Sequence, residues 1–380
     1  MQLKIPLSLV TASLLFSSML KAEDYISVQY LKYDESGNKV EISAPTLEIN
    51  KDFGTDYRLN ATYISDVISG ASPAFTDTSS GASGSGGAAL LLKDIEKKYF
   101  VFDDKRDSLA TSLTKRFENR DELTTGIGYS RENDYKALEL STSYLLWSDE
   151  THNRSYNFSA SYMFNDILEA CGNNFDCDKS TGSDIWNTSN IINIQVGITQ
   201  IIDRTSSVGG SVFYINEHGY LTNPNYNIVR NNGTNPTLEN ESRPDNRDGY
   251  GFLVNYAKQI NKKITSNSTY RFYTDDWDID SHTVDSNLYY EYNNKLLLGF
   301  GLRYYLQSEA SFYNGAKDYF TTQTYASSDD RLSSFHTVTY KFNIDYKITD
   351  TFSYNMGLNY YDQSTNLEAT YITAGFKYWF

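Results

Sequence analysis

Along nearly the whole chain apolar and polar residues alternate with a period of two, and past the first twenty-two residues nothing in it is apolar for long. In 56–66, Tyr57, Leu59, Ala61 and Tyr63 share one parity while Arg58, Asn60 and Thr62 take the other. Leu296, Leu298, Phe300, Leu302, Tyr304 and Leu306 alternate with Gly299, Gly301, Arg303, Tyr305 and Gln307. Phe352, Tyr354, Met356, Leu358 and Tyr360 alternate with Ser353, Asn355, Gly357 and Asn359. Successive side chains of a strand point to opposite faces, so each row is one face of a strand. Beyond Ala22 the longest wholly apolar run is Ala88 to Leu92, too short for a membrane-crossing helix. An apolar row backed by a polar or small row is the pattern of a strand with lipid on one side and a polar interior on the other.

Sixteen such segments fit between residues 24 and 380. The connections between them alternate in length. Those at 51–55, 118–121, 148–153, 203–205, 261–263, 293–294 and 347–350 are short, whereas those at 67–106, 165–187, 218–248 and 308–333 are long and all fall in the other set. The fold class expected is therefore all-β, a transmembrane antiparallel β-barrel of the outer-membrane type with 16 strands. Fourteen or eighteen follow if two segments merge or a loop hides a hairpin. An even number of strands puts both ends of the barrel chain in the periplasm and every long connection outside the cell. The Gly81–Gly87 stretch in the longest connection suits a surface loop or a segment folded inward. Sixteen strands enclose a water-filled lumen unless something occupies it. A secreted sandwich or propeller would show a repeated blade signature, which is missing.

Lys4, the apolar run Ile5–Leu20 and the small residue Ala22 before Glu23 and Asp24 read as a signal peptide, residues 1–22, with a single barrel domain over 23–380. Cleavage there removes Lys4 and Lys21, taking the formal net charge from −15 to −17. Such a charge repels nucleic acid. Tyr alone accounts for 33 residues and aromatics for 15%, as aromatic girdles at two membrane interfaces require. Phe376, Tyr378 and Phe380 alternate at the end of the sequence, which resembles the closing strand and sorting signal of bacterial outer-membrane barrels. The resemblance implies recognition by the barrel-assembly machinery through Phe380 and closure against residues near Tyr25–Tyr33. Cys171 and Cys177, six apart in a polar stretch, suit a disulfide-closed loop in an oxidising envelope; no neighbouring Cys or His completes a metal or redox site.

Polar and charged segments cluster where strands meet the long connections. They are Ser69–Pro73, Glu241–Arg247, Asp275–Thr283, Gln307–Tyr313 and Ser327–Phe335. With S-G-A-S-P, R-P-D-x-R, D-D-W-x-I-x-S-H-T, Q-S-x-A-x-F-Y and S-S-D-x-R-L-S-S-F in that order, the chain resembles a bacterial envelope family known only as a domain of unknown function. The resemblance spans nearly all of the chain after Ala22. It implies an outer-membrane protein without assigned catalytic residues, and association with periplasmic redox or flavin-transfer partners.

Two readings of the charges stay open. Arg243, Arg247 and Arg331 with Asp245, Asp275, Asp276, Asp329 and Asp330 form either a salt-bridged collar over the barrel mouth or a selectivity site in the vestibule, together with Trp277, Asp280 and His282. Inward Arg58, Arg271 and Arg303 form a positive strip facing Asp285 and Glu291. Asp276, Asp278 and Asp280 alternate as calcium ligands do, but an EF-hand count from Asp276 meets Ser281 and Asn287 where Gly and Glu belong. His282 and His336 approach one another at the outer rim. Ser281, Ser333 and Ser334 near these histidines make no nucleophile motif. No cofactor and no enzymatic activity are expected. The function expected is a porin-like passive channel or vestibule for small polar solutes, with a non-conducting barrel serving periplasmic redox or cofactor-maturation proteins as the alternative.

Overall fold

A computed structural model describes residues 24–37, 40–77, 95–148, 151–169, 184–224, 226–231, 236–314 and 320–380, with backbone alone over 68–77 and 95–103. The signal peptide, Gly81–Gly87 and the Cys171–Cys177 pair lie outside these residues. The barrel strands are β1 (Tyr25–Glu35), β2 (Val40–Phe53), β3 (Tyr57–Asp77), β4 (Ile95–Arg116), β5 (Glu122–Arg131), β6 (Tyr135–Trp147), β7 (Arg154–Glu169), β8 (Ile185–Asp203) and β9 (Ser206–Gly219). They continue with β12 (Asn246–Asn261), β13 (Ile264–Asp275), β14 (Asp280–Asn293), β15 (Leu296–Gln307), β16 (Phe335–Lys347), β17 (Phe352–Gln363) and β18 (Leu367–Trp379). Between β9 and β12 a small hairpin, β10 (Asn227–Arg230) and β11 (Thr237–Asn240), stands apart from the wall.

Sixteen strands close into one antiparallel barrel, each beside its neighbours in the chain, and β1 completes the ring by pairing with β18. That seam sets Tyr25 opposite Trp379, Val28 opposite Phe376 and Tyr33 opposite Tyr371. Phe380 donates its backbone N–H to the Asp24 carbonyl at 3.0 Å. Each strand keeps one parity outward. Phe376, Tyr378 and Phe380 are 48%, 48% and 56% exposed, and Val28, Leu113, Ile127, Val196, Phe300 and Leu358 stand out in the same way round the ring. Water cannot cover such a continuous apolar belt at a tolerable cost, so the outer surface is built for lipid.

Long connections lie at one end and tight turns at the other. Lys263 and Ile264, for example, donate backbone N–H groups to Asn261 Oδ1 at 2.9 and 3.0 Å, closing the β12–β13 turn. One connection departs from expectation. Residues 67–77 and 95–106 are not loop but continue β3 and β4, Val67 opposite Lys105 and Asp77 opposite Ile95. Ser69–Pro73 thus lies within a strand rather than after one. Above the lipid no apolar row is needed, so an extended hairpin there carries a loop-like composition while keeping its backbone pairing.

Candidate functional site: the bridged mouth and the charged lumen

At the long-loop end, three connections fold onto one another. Asp275, the last residue of β13, is the hub of the first, its side chain fully buried. Its Oδ1 accepts the backbone N–H groups of Trp277 and Ile279 at 3.0 and 3.1 Å, while Oδ2 accepts the Tyr273 hydroxyl at 2.8 Å. Arg247 Nε donates to the same Oδ2 at 2.8 Å. The tight chain reversal is made at Asp278, whose φ is 67°. It drives the Trp277 ring inward, where Nε1 donates to the Asn246 carbonyl at 2.9 Å and the Arg247 guanidinium lies 4.6 Å over the ring. Trp277 then packs with Ile279, Ala310, Phe312 and Leu332, a small apolar core at the mouth against which Tyr273 also packs.

Asp329 is the second hub. It caps the 3-10 turn Asp330–Leu332 by accepting the Arg331 backbone N–H at 3.0 Å. It also accepts from Arg331 Nε at 2.9 Å and from Arg243 Nη2 at 2.8 Å. Arg243 Nε lies 2.6 Å from Glu241 Oε1, off the axis of its N–H, and the Ser327 hydroxyl donates to Glu241 Oε2. Burial alone would raise the Asp329 carboxyl, but Arg331 and Arg243 outweigh it and hold the group well below the usual carboxylate range. Burial wins at Glu241, which is raised despite Arg243.

Of the collar residues, then, Arg243, Arg331 and Asp329 come together, and Arg247 joins Asp275. Asp245, Asp276 and Asp330 take no part in these ion pairs: all three are exposed, Asp276 accepting the Asp248 backbone N–H at 2.9 Å and Asp330 the Tyr313 hydroxyl at 3.1 Å. Glu241 and Glu217, the latter 3.6 Å from Arg247, are partners that the sequence reading missed. Glu217 was legible, since its parity on β9 matches that of inward Phe213.

The same loops cross the mouth. Arg230 bridges to Phe320 and Ser242 to Ala326, and Ile228, Phe320 and Ala326 bury one another. Backbone atoms of β10 come within 8 Å of β3, although five strands separate β3 from β9 one way round the ring and eight separate it from β12 the other way. Only a span over the opening joins those two places.

Below the mouth, the strand parity sorts the remaining candidates. Arg271 and Arg303 face the lumen. Arg58 also faces inward, but near the tight-turn end, where Asp52 accepts from its Nε at 3.0 Å. The expected strips are not opposed: Asp285 sits directly beside Arg303 in the β14–β15 register and is held by Lys341 Nζ at 2.5 Å and Asn287 at 2.7 Å. Glu291 is exposed near the tight-turn end. The carboxylate across the lumen is Glu139 on β6, seven strands round from β15. Asp280 is exposed at the start of β14, its N–H donated to Ser308 Oγ at 2.8 Å. His282 is an outward residue, not a lumen one; its Nδ1 is 2.7 Å from the Tyr270 hydroxyl, and its ring lies 5.1 Å from that of Phe272. His336 occupies the same outer row, with Leu306 between them in register, so the two are roughly 10 Å apart.

Asp276, Asp278 and Asp280 do not converge. Among the described residues, the one acidic trio able to hold a metal is Asp104, Glu132 and Asp134, whose oxygens lie within 4.8 Å of one another at the β4–β5 rim. Burial, only partly offset by Arg106 and reinforced by Asp134, Asp104 and Asp66, pushes Glu132 up to about 7. A carboxyl raised in the folded state stabilises below its ordinary 4.5 and loses that contribution as pH rises to about 7. Unfolding measured in denaturant between pH 5 and 7.5 should therefore show stability falling by up to roughly 3 kcal/mol, with the slope flattened in Glu132→Gln. An unchanged slope in the variant would place the titration elsewhere.

A family model described as protein of unknown function (DUF3570) matches residues 8–376. The chain belongs to this family. No curated protein matches the sequence. Among solved structures, the DUF3570 barrel is similar to a mutant form of the ferric enterobactin receptor PfeA of Pseudomonas aeruginosa, with 11% identity over 91% of this chain and 54% of that one, at a TM-score of 0.46. It thus spans about half the length of that receptor. It is similar also to the CymD monoaromatic hydrocarbon channel, at 8% identity over 95% and 89% with a TM-score of 0.44. The KdgM porin in complex with disordered oligogalacturonate is 10% identical over 93% and 99%, at a TM-score of 0.30.

Proposed function

We propose that this DUF3570 barrel is a passive channel of the Gram-negative outer membrane for small polar solutes, its tight turns in the periplasm and its bridged mouth outside. One observation carries the reading. Arg271 and Arg303 on one wall have no carboxylate within 4.0 Å, and Glu139 on the far wall has no cation, among the described residues. Charges left unpaired in a dry interior would be too costly, so water must reach them, and a hydrated lumen between walls of opposite sign conducts and orients polar solutes. Insertion of Phe380 by the barrel-assembly machinery belongs to the same proposal.

Purified protein in a planar bilayer should give discrete conductance that scales with salt. The span of β10 across the mouth favours a second reading, a barrel that stays shut and acts with periplasmic redox or cofactor-maturation proteins. No channels at any salt concentration would decide for it.

A further inference from the structure

Four inward carboxylates gather at the long-loop rim of β3 to β6 around a single arginine. Asp66 on β3 stands opposite Arg106 on β4, and Asp104, two residues further along β4, keeps the same inward parity. The β4–β5 pairing ends where Asp107 meets Arg131, so Asp104 reaches past the end of β5 to the turn that carries Glu132 and Asp134. That turn is fixed by its backbone: the Glu132 N–H donates to the Tyr135 carbonyl at 2.7 Å, and the Asp134 carbonyl accepts the Leu168 N–H at 2.8 Å. Ile127 and Tyr129 are the exposed outward residues of β5, which gives Glu132 the inward parity. Its carboxylate meets those of Asp104 and Asp134, with oxygens of the three within 4.8 Å of one another.

Glu132 lacks what a buried carboxylate needs. It is 8% exposed, yet among the described residues it accepts no hydrogen bond. Arg106 is committed elsewhere: its Nε donates to Asp66 at 2.9 Å, while Nη1 stays 3.9 Å from Glu132, beyond hydrogen-bond reach. Lys105, Arg131 and Lys136 have the opposite parity and face outward, where Lys105 lies 3.2 Å from Asp107 and Lys136 lies 4.2 Å over the Trp186 ring. A buried charge without a hydrogen bond or a close counter-ion is costly, and two further carboxylates turned toward it add repulsion. A cation among the three removes both costs.

We propose that Asp104, Glu132 and Asp134 hold a calcium ion, which ties the β5–β6 turn to the outer extension of β4. The group offers hard carboxylate oxygens and neither His nor Cys, which suits calcium or magnesium rather than zinc. Calcium keeps its oxygens about 2.3–2.6 Å away in an adaptable arrangement, whereas magnesium demands a near-ideal octahedron at about 2.0–2.1 Å and would have to draw the ligands in. Ligands fixed on a paired strand and a bonded turn favour the first. β3, the partner of β4, is also the strand that the β10 hairpin meets, so the ion braces the wall on which the span across the mouth rests. The site does not depend on whether the barrel conducts.

Equilibrium dialysis of the barrel, refolded into an uncharged detergent free of lipopolysaccharide and stripped with chelator, tests the site. Calcium should bind as one ion per chain with a dissociation constant of about 10⁻⁴–10⁻³ M, the range of extracellular calcium modules, and at least about tenfold more tightly than magnesium. Glu132→Gln should weaken calcium at least about tenfold, and Asp104→Asn should do the same if Glu132→Gln does not fold as judged by gel mobility before and after heating. Calcium should also slow amide exchange over 132–134 in the unaltered chain and not in the folded variant. Absence of calcium binding, binding that the folded variants retain in full, or equal affinity for magnesium would overturn the site, whatever the outcome in a planar bilayer.

Discussion

Replacing Asp329 with alanine is expected to free the loops from the mouth, at a local cost of about 3–5 kcal/mol, the range for breaking a buried ion pair by removing one partner. Asp329 is 1% exposed and serves Arg331, Arg243 and the capped 3-10 turn together. Without it Arg243 and Arg331 lose the carboxylate that they share, and the Phe312 and Leu332 packing loses the turn that presents it. The change should appear as faster proteolysis after Arg331, faster amide exchange over 308–334, and larger single-channel conductance. Asp329→Asn, which keeps the shape and some of the acceptors, should fall between. Unchanged cleavage and exchange in the alanine variant would mean that apolar packing, not this carboxylate, holds the bridge.

The second large effect separates the two faces of the wall. Phe300 is 50% exposed on the outside of β15, with its ring 5.2 Å from that of Phe342. Phe300→Arg puts a charge into lipid and should cost about 2–4 kcal/mol in unfolding from lipid vesicles. Asn287, next door on β14, faces the lumen, where Asn287→Arg meets water and should cost no more than about 1 kcal/mol. Equal costs for the two substitutions would contradict the assignment of faces.

That assignment was the most legible part of the sequence, because lipid imposes a strict rule on every second residue. The alternation from Leu296 to Leu306 is enough by itself to set the outward row of β15. The same parity, carried through Ser281, Thr283 and Asp285, puts His282 outside, and only the attraction of a histidine beside a serine suggested otherwise. Where lipid ends, the rule ends: Ser69 to Asp77 has turn-like composition yet pairs as strand with 95–103. The mouth was legible as a concentration of charge but not as a set of partners. Arg243 and Asp329 are 86 residues apart, and no local pattern announces which acid an arginine will meet across two loops.

The ring order has a kinetic side. Every wall pairing except two joins strands adjacent in the sequence, so most of the barrel can assemble by local hairpins. The β9–β12 pairing must wait for an insertion of moderate length, and the β1–β18 seam brings together positions roughly 350 residues apart, the largest loop-closure entropy the chain can meet. Until then β1 and β18 are two open edges with outward apolar rows, the form most prone to pairing with another molecule. The joining of Val28 to Phe376 is therefore the step expected to be slowest in folding.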